Sequence, residues 1–292
     1  MTSLFTTTTM LKMNNMSKNK ETQYNNLRLW NGIMGVLHFV QGLIMLFLSK
    51  KALFTVYLYL PKPNSLTRSV TIVGEKWYEV NLGYTISAFL FLSAAAHFIT
   101  ILPGVYGWYK AKLHDKINLI RWYEYAISSS VMIFVIAALC NINDGMTLFL
   151  LVVANACMNL FGAMMELHNS SLRKLAEKNG EDFKPNWTAF LYGCFAGIAP
   201  WIVMATYFFV SLDRLSELPD IPQRLKDALN TVRFGFPGLF IFFNLFAINM
   251  ILQYKEVGKW KDYLFGEKVY IVLSLLAKSF LAWFVWGGTL RP

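Results

Sequence analysis

The chain has 292 residues, of which 55% are hydrophobic and 15% are charged, and its formal net charge is +10. Soluble domains average about 25% charged residues, so this composition excludes an ordinary soluble protein and indicates an integral protein of the lipid bilayer. The basic residues lie between apolar runs and not on a polar domain, which argues against nucleic-acid binding. The three cysteines, Cys140, Cys157 and Cys194, lie in apolar runs without metal-ligand spacing, so we predict neither disulfides nor a metal site.

Residues 1–28 are rich in Thr, Asn, Ser and Lys and contain no apolar signal-peptide core, so we expect a mobile polar tail. Seven apolar runs follow, each about as long as a bilayer crossing requires. There is no clear internal repeat and no long linker. Residues 29–292 are therefore predicted to form one all-α domain, a seven-transmembrane helix bundle. The runs lie at about 30–49, 79–102, 117–140, 145–167, 186–211, 234–253 and 268–290.

The distribution of Lys and Arg predicts the orientation of the bundle. Of these 27 residues, fifteen lie in the N-terminal tail and in the second, fourth and sixth connections, and ten lie in the other connections and near the C-terminus. The positive-inside rule therefore predicts a cytoplasmic N-terminus and an extracellular C-terminus. The plasma membrane is the default location for such a protein.

The first connection, predicted to be extracellular, has the pattern of a β-hairpin. Residues 53–60 are β-branched and aromatic, residues 61–64 contain two prolines that are expected to end the strand, and residues 65–73 alternate again. Because an isolated ribbon is only marginally stable, we expect it to pack on the outer face or on a neighbouring protomer. In the fifth connection, residues 223–229 are predicted to form a short interfacial helix.

Lys278 is the only charged residue between positions 270 and 290. A lysine near the middle of the bilayer costs about 3 kcal/mol by insertion scales, so it needs a partner or a chemical role. A desolvated amine can lose its proton, attack an aldehyde and form an imine. We therefore hypothesise that Lys278 holds a carbonyl cofactor, with a structural ion pair or a snorkelling lysine as the alternative.

The third run supplies the expected partner of this lysine. Arg121, Glu124 and Tyr125 share one helical face, because their spacings are three and four residues. Under the predicted topology Glu124 and Lys278 reach similar depths, roughly 12–15 Å from the cytoplasmic face at 1.5 Å per residue. An acid and a base at matched depth in hydrocarbon compensate each other, so Glu124 is the predicted counterion of Lys278.

Two histidines add to the polar interior. His38 lies on one face of the first run with Asn31 and Gln41, and His97 lies one turn after Ser93 in the second run. A single buried histidine is more often a core group. Two of them in the half of the bundle that holds the counterion predict a hydrated, proton-accepting cavity. In the fourth run, Asn155 is near mid-depth, and Glu166 is expected to be solvated near the cytoplasmic surface.

Across the whole membrane region these residues resemble the heliorhodopsins, a family of retinal proteins. The run from Arg121 to Tyr125 (Arg-Trp-Tyr-Glu-Tyr) is its most specific part, because a lysine in the seventh helix is common to all retinal proteins. A bundle with a cytoplasmic N-terminus and a long, strand-forming first outer loop is also that family's pattern. The other positions that carry the resemblance are Asn31, His38, Gln41, Ser93, His97, Asn155, Glu166, Ser274 and Lys278.

The resemblance implies all-trans retinal bound to Lys278 as a protonated Schiff base, with Glu124 as counterion. It further implies a homodimer, a slow photocycle and a sensory role with an unknown cytoplasmic signalling partner. Residues expected to contact the cofactor or tune its Schiff base are Ser93, Arg121, Trp122, Tyr125, Ser128, Asn155, Trp201 and Ser274. Residues expected in the proton-accepting cavity are Asn31, His38, Gln41, His97, Arg121 and Glu166.

The expected function is light sensing without enzymatic activity, and three alternatives stand beside it. A light-driven or light-gated proton transporter on the same scaffold is the first alternative. Val135 occupies the place where proton pumps carry a second carboxylate, which disfavours a pump, whereas light-gated proton leakage through Glu124, His38 and His97 stays open. We also expect no acid in the fifth, sixth or seventh run. A transporter or membrane enzyme without retinal would use Lys278 and Glu124 as a structural pair. A G-protein-coupled receptor is disfavoured by the topology.

Overall fold

The computed structural model describes the backbone of residues 2–217 and 223–290 and the side chains of residues 19–217, 233–288 and 290. This part of the chain consists of helices and one hairpin, with a short 3-10 helix at Gly258–Lys261 and a final π-helical turn at Trp286–Leu290. The strands are β1 (Leu53–Asn64) and β2 (Ser69–Asn81). The α-helices are α1 (Thr2–Leu48), α2 (Leu82–Ile101), α3 (Pro103–His114), α4 (Leu119–Leu139), α5 (Gly145–Asn179), α6 (Thr188–Ser216), α7 (Gln223–Tyr254) and α8 (Tyr263–Val285).

Seven helices in the described residues are long and apolar enough to cross a membrane: α1, α2, α4, α5, α6, α7 and α8. Helix α1 packs on α2, α4 packs on α5, α5 packs on α6, and α7 packs on α8, which also contacts α1. The predicted seven-helix bundle is therefore confirmed. The orientation of its termini stays a prediction.

Three helices differ from the expected pattern. Helix α1 begins at Thr2, so the segment expected to be a mobile tail is a continuation of the first helix. No glycine or proline occurs before Gly32, so no residue there breaks the helix. Helix α3 was not predicted; it begins with a proline at its first position and buries only Tyr109 and Leu113. The short helix predicted at 223–229 is the beginning of α7.

The predicted hairpin is confirmed and is longer than expected. Strands β1 and β2 pair antiparallel from Leu53↔Asn81 to Asn64↔Ser69. The two prolines expected to end β1 lie inside it, because each strand of a two-stranded ribbon has an open edge where a missing N–H is tolerated. Tyr57 N donates a 2.9 Å hydrogen bond to the Asn143 carbonyl, which fixes the base of the hairpin on the loop between α4 and α5.

The interior of the bundle is apolar at one end and polar at the other. Near the hairpin the buried core is apolar and includes Ile86, Ile133, Val135 and Leu281. At the opposite end, where α4 and α8 begin, charged and amide side chains are buried. We call this the polar end of the bundle, defined by the buried Asn31, Arg121, Glu166 and Glu267 and the half-buried His97.

Candidate functional site

Lys278 lies in the middle of α8 and is 3% exposed. Its Nζ donates to Glu124 Oε1 at 2.7 Å, to Ser93 Oγ at 2.5 Å and to Ser274 Oγ at 3.1 Å. An ammonium group has three donors, so side chains of α2, α4 and α8 satisfy all of them. Ser93 Oγ is also 2.7 Å from Glu124 Oε1. The predicted acid and base therefore meet in a closed network.

The last helix begins earlier than predicted, which changes the depth of Lys278 along it. Helix α8 begins at Tyr263, five residues before the predicted boundary, because Asp262 caps it by accepting a hydrogen bond from Leu264 N. Five residues add about 7 Å of helix. The pairing was predicted correctly although α8 begins farther from the site than expected.

A large apolar cavity of about 570 Å³ adjoins Lys278. This volume is within the usual range of about 300–1,000 Å³ for small-molecule sites. Trp122 and Trp201, the two predicted pocket aromatics, both line it, and so do Tyr125 and Ser274. The other large side chains of the wall are Met132, Met158, Phe190, Phe195, Ile198, Phe240, Phe243, Phe246 and Met250.

Two glycines of the cavity wall allow close approach of neighbouring side chains. A methyl group at Gly162 would collide with the indole of Trp122, and one at Gly197 would collide with Met158. Without a Cβ, α5 accommodates Trp122 and α6 accommodates Met158 beside the cavity. The packing of the cavity wall therefore requires small residues at these two positions as well as apolar residues around them.

A polar cluster of α4 and α5 borders the same cavity. Asn155, predicted to contact the cofactor, does not line the cavity and instead donates to Ser129 Oγ at 2.7 Å and Ser130 Oγ at 3.0 Å. Ser129 and Asn159 line the cavity in its place. Ser128 is fully buried one turn after the counterion, and it lines neither this cavity nor the polar one described next.

A second, polar cavity of about 40 Å³ lies on the other side of the ion pair. It is large enough to hold water. Among the predicted cavity residues, Asn31, His97 and Arg121 line it, and His97 Nδ1 is 2.8 Å from Asn31 Oδ1. The remaining lining residues are Ser93, Ala96, Thr100, Tyr109, Asn118, Ile120, Glu124, Tyr125, Glu267, Ile271 and Ser274.

The other predicted members of this cavity lie outside its lining. The ring of His38 stacks on the ring of His97, with centroids 5.6 Å apart. Both ring nitrogens of His38 and the Oε1 atom of Gln41 are buried without a hydrogen-bond partner among the described residues. Glu166 does not line this cavity either.

Arg121 belongs to a different charge cluster from the one expected. It was predicted to tune the Lys278 region, but its Nη2 pairs with Glu166 Oε1 and lies 3.3 Å from Glu267 Oε1. The expectation that Glu166 is solvated was wrong, since it is 2% exposed. The fourth run was predicted to end at 167, whereas α5 continues to Asn179 and carries Glu166 inside the bundle.

Glu267 was missed, because the seventh run was expected to contain no acid. It is 1% exposed and lies in the second turn of α8. Asp262 followed by an apolar run is a helix-start signal that would have placed the beginning of α8 correctly. With that boundary, Glu267 would have been recognised as a buried acid.

A seven-helix membrane bundle with a buried lysine–carboxylate pair beside an apolar cavity is the arrangement expected of a retinal-binding rhodopsin. A family model described as Heliorhodopsin matches residues 27–290, and the chain belongs to this family. The protein is therefore a retinal-binding, light-responsive rhodopsin. A comparison with curated proteins gave no match.

Proposed function

We propose that this protein is a light-sensing photoreceptor in which Lys278 carries all-trans retinal as a protonated Schiff base and Glu124 is the counterion. The observation that carries the proposal is the position of one satisfied Lys278–Glu124 ion pair at the wall of the 570 Å³ apolar cavity. Retinal supplies visible absorption and a double bond that isomerises in light. The residues present fit such a group, because the cavity is apolar and offers one amine.

The side chains around Lys278 have separate tasks in this proposal. The Glu124 carboxylate, 2.7 Å from Lys278 Nζ, compensates a positive charge that hydrocarbon would otherwise disfavour. Ser93 and Ser274 fix the direction of the nitrogen through their hydroxyl groups. The aromatic wall excludes water from the apolar side, while the polar cavity admits water on the carboxylate side.

The direct test is the absorption spectrum of membranes that contain the full chain after all-trans retinal is added. We expect a visible band that saturates at one retinal per chain. If no band appears at any retinal concentration, the cofactor does not bind and the proposal is wrong.

Replacing the counterion should change the colour. Glu124→Gln removes the negative charge beside the Lys278 nitrogen and keeps the shape of the side chain. In the ground state of a protonated Schiff base the positive charge lies near the nitrogen, so loss of the carboxylate raises the energy of the ground state more than that of the excited state. We expect the absorption maximum to move to longer wavelength. Glu177→Gln, at an exposed position of α5, is the matched control and should leave the spectrum unchanged. An unchanged spectrum of Glu124→Gln would mean that another group is the counterion.

The stacked histidines should affect the slow steps after illumination more than the dark colour. We expect His38→Phe/His97→Phe to keep the ring stacking and to remove the protonatable nitrogens beside the polar cavity. Flash-induced absorbance changes should therefore alter in rate by several-fold while the dark spectrum stays close to that of the unmodified chain. His114→Phe, at an exposed position outside the bundle, is the control. Identical flash kinetics in the double variant would exclude the histidines from proton acceptance.

We propose a cytoplasmic N-terminus, a homodimer in the plasma membrane, a cytoplasmic signalling partner and no enzymatic activity. Accessibility of terminal tags in intact cells tests the orientation, and the mass of the detergent-solubilised protein tests the dimer.

A light-driven or light-gated proton transporter is the second candidate. The polar cavity supports it, because it reaches from Glu124 to Glu267 within the bundle. The apolar core near the hairpin argues against a complete path, since Val135 is fully buried there among apolar residues. Photocurrent measured in the absence of other proteins separates the two functions, and sustained current against a gradient would replace the sensory assignment.

A further inference from the structure

Two buried carboxylates share one guanidinium at the polar end. Glu166 of α5 and Glu267 of α8 are 2% and 1% exposed, and both contact Arg121 Nη2. Among the residues whose side chains the structure describes, no other basic group forms an ion pair with either acid. Two ionised carboxylates with one arginine would leave a net negative charge in an interior of low polarity, which is unfavourable.

The remaining contacts of this carboxylate pair, Glu166 and Glu267, come from neutral groups. Asn118 N donates to Glu166 Oε2 at 2.7 Å, and Asn118 Nδ2 donates to Glu267 Oε2 at 2.6 Å. Glu267 Oε1 is buried and has no hydrogen-bond partner among the described residues. These amide donors hold the two acids in place without compensating the second charge.

The titratable groups that face the pair from the surrounding helices do not compensate it either. They are tyrosines, which are neutral near pH 7, together with Glu124 and His97 across the polar cavity. The tyrosines are Tyr109 of α3, Tyr125 of α4, Tyr254 of α7, and Tyr263 and Tyr270 of α8.

We propose that the carboxylate pair holds one shared proton and that Glu267 exchanges this proton with the polar cavity. One proton makes the cluster of Arg121, Glu166 and Glu267 electrically neutral. Because both Oε1 atoms approach the same Arg121 nitrogen, the charge of one acid affects the other, and the two acids titrate as a pair. Glu267 is the exchanging member, since it lines the cavity and Glu166 does not.

The polar cavity connects the carboxylate pair, with its shared proton, to the Lys278 site. That the pair supplies this proton to Glu124 rests on the proposed function. Glu267 and Glu124 both line the 40 Å³ space, where water can bridge them. The O–H bond of the neutral acid breaks as its proton passes to a cavity water, and a proton of that water passes to Glu124. After the transfer the Glu267 carboxylate is ionised, and its Oε1 atom lies 3.3 Å from the positively charged Arg121 at Nη2. No electron is transferred.

The shared proton is tested on the full chain without retinal, so the test does not depend on the proposed function. Infrared spectra of protein with ¹³C-labelled and unlabelled glutamate carboxyl groups are subtracted at pH 7.5 in D₂O, and the carbonyl stretch of neutral glutamate is measured. We expect one such band. Glu166→Gln and Glu267→Gln should each abolish it, because the remaining carboxylate then forms a one-to-one ion pair with Arg121. Glu124→Gln and the exposed control Glu177→Gln should retain it.

Several results would overturn the shared proton: no neutral-glutamate band in the unmodified chain, a band that survives both single substitutions, or a band lost with Glu124→Gln. The first of these needs no variant, so misfolding of a variant does not leave the proposal untested. Exchange is tested afterwards with all-trans retinal bound. The neutral-glutamate band should change in intensity under light, and a constant band would exclude proton exchange between Glu267 and the polar cavity. The visible absorption band is measured separately and tests the photoreceptor function.

Discussion

Lys278→Arg, expressed with all-trans retinal, should fold and remain colourless. Arginine retains a positive charge to pair with Glu124, but its guanidinium does not lose its proton and cannot form an imine. The substitution therefore separates the two roles of Lys278, the ion pair and the covalent attachment. The measurement is the visible spectrum of the purified protein, normalised to the amount of monodisperse chain.

Comparison of two further variants isolates the covalent role. Lys278→Ala should also be colourless, but it leaves Glu124 buried without its partner, and such a loss costs about 3–5 kcal/mol. We therefore expect Lys278→Ala to be less stable to heat than Lys278→Arg. Lys268→Arg changes a lysine of the same helix outside both cavities and should give the unmodified spectrum. A coloured Lys278→Arg protein would show that the pigment is attached elsewhere or not covalently.

Arg121→Ala should be the most destabilising single change at the polar end. It removes the cation shared by Glu166 and Glu267 and the guanidinium that lies 3.7 Å from the ring centre of Tyr270. Removal of one partner from a buried ion pair costs about 3–5 kcal/mol, so the midpoint of thermal unfolding in detergent should fall by on the order of 10 °C. Lys174→Ala is the matched control, because its pair with Asp115 is 60% exposed on the lysine side and should matter little.

A neutral replacement distinguishes charge from packing in this cluster. The triple variant Arg121→Gln/Glu166→Gln/Glu267→Gln contains no charge and should recover much of the stability lost in Arg121→Ala. If the triple variant is as unstable as the single one, the stacking of Arg121 on Tyr270 and Trp122, and not its ion pairs, holds the polar end together.

The sequence predicted most of the fold because each membrane-spanning helix has a strong local signal. Runs of about 20 apolar residues identified the seven spans, and β-branched alternation identified the hairpin. The helical segments that were not predicted have weaker signals in the sequence. Helix α3 buries only Tyr109 and Leu113, so its hydrophobic pattern is short. The continuation of α1 to Thr2 was missed because the many polar residues of 1–28 were interpreted as a tail, although no glycine or proline interrupts them.

The Lys278–Glu124 pair was predictable because charges are rare at that depth and compensate each other. The second charge cluster was not, since its assembly depends on helix ends. Glu166 and Glu267 both lie close to a predicted boundary, and a shift of a few residues decides whether a side chain is solvated or buried. The ion pairs of Arg121 with Glu166 and Glu267 were therefore not predicted, although Arg121 itself was recognised as a site residue.

The two cavities have only Tyr125 and Ser274 in common among their lining residues. Lys278 borders the apolar cavity and Glu124 borders the polar one, and the two are joined by a direct 2.7 Å hydrogen bond and through Ser93. The interior thus has an apolar cavity at the lysine and a polar cavity at the carboxylate, which adjoin at the Lys278–Glu124 pair. Under the proposed function, substitutions confined to the apolar cavity should shift the absorption maximum and leave the rates of proton transfer unchanged, so the two properties can evolve independently.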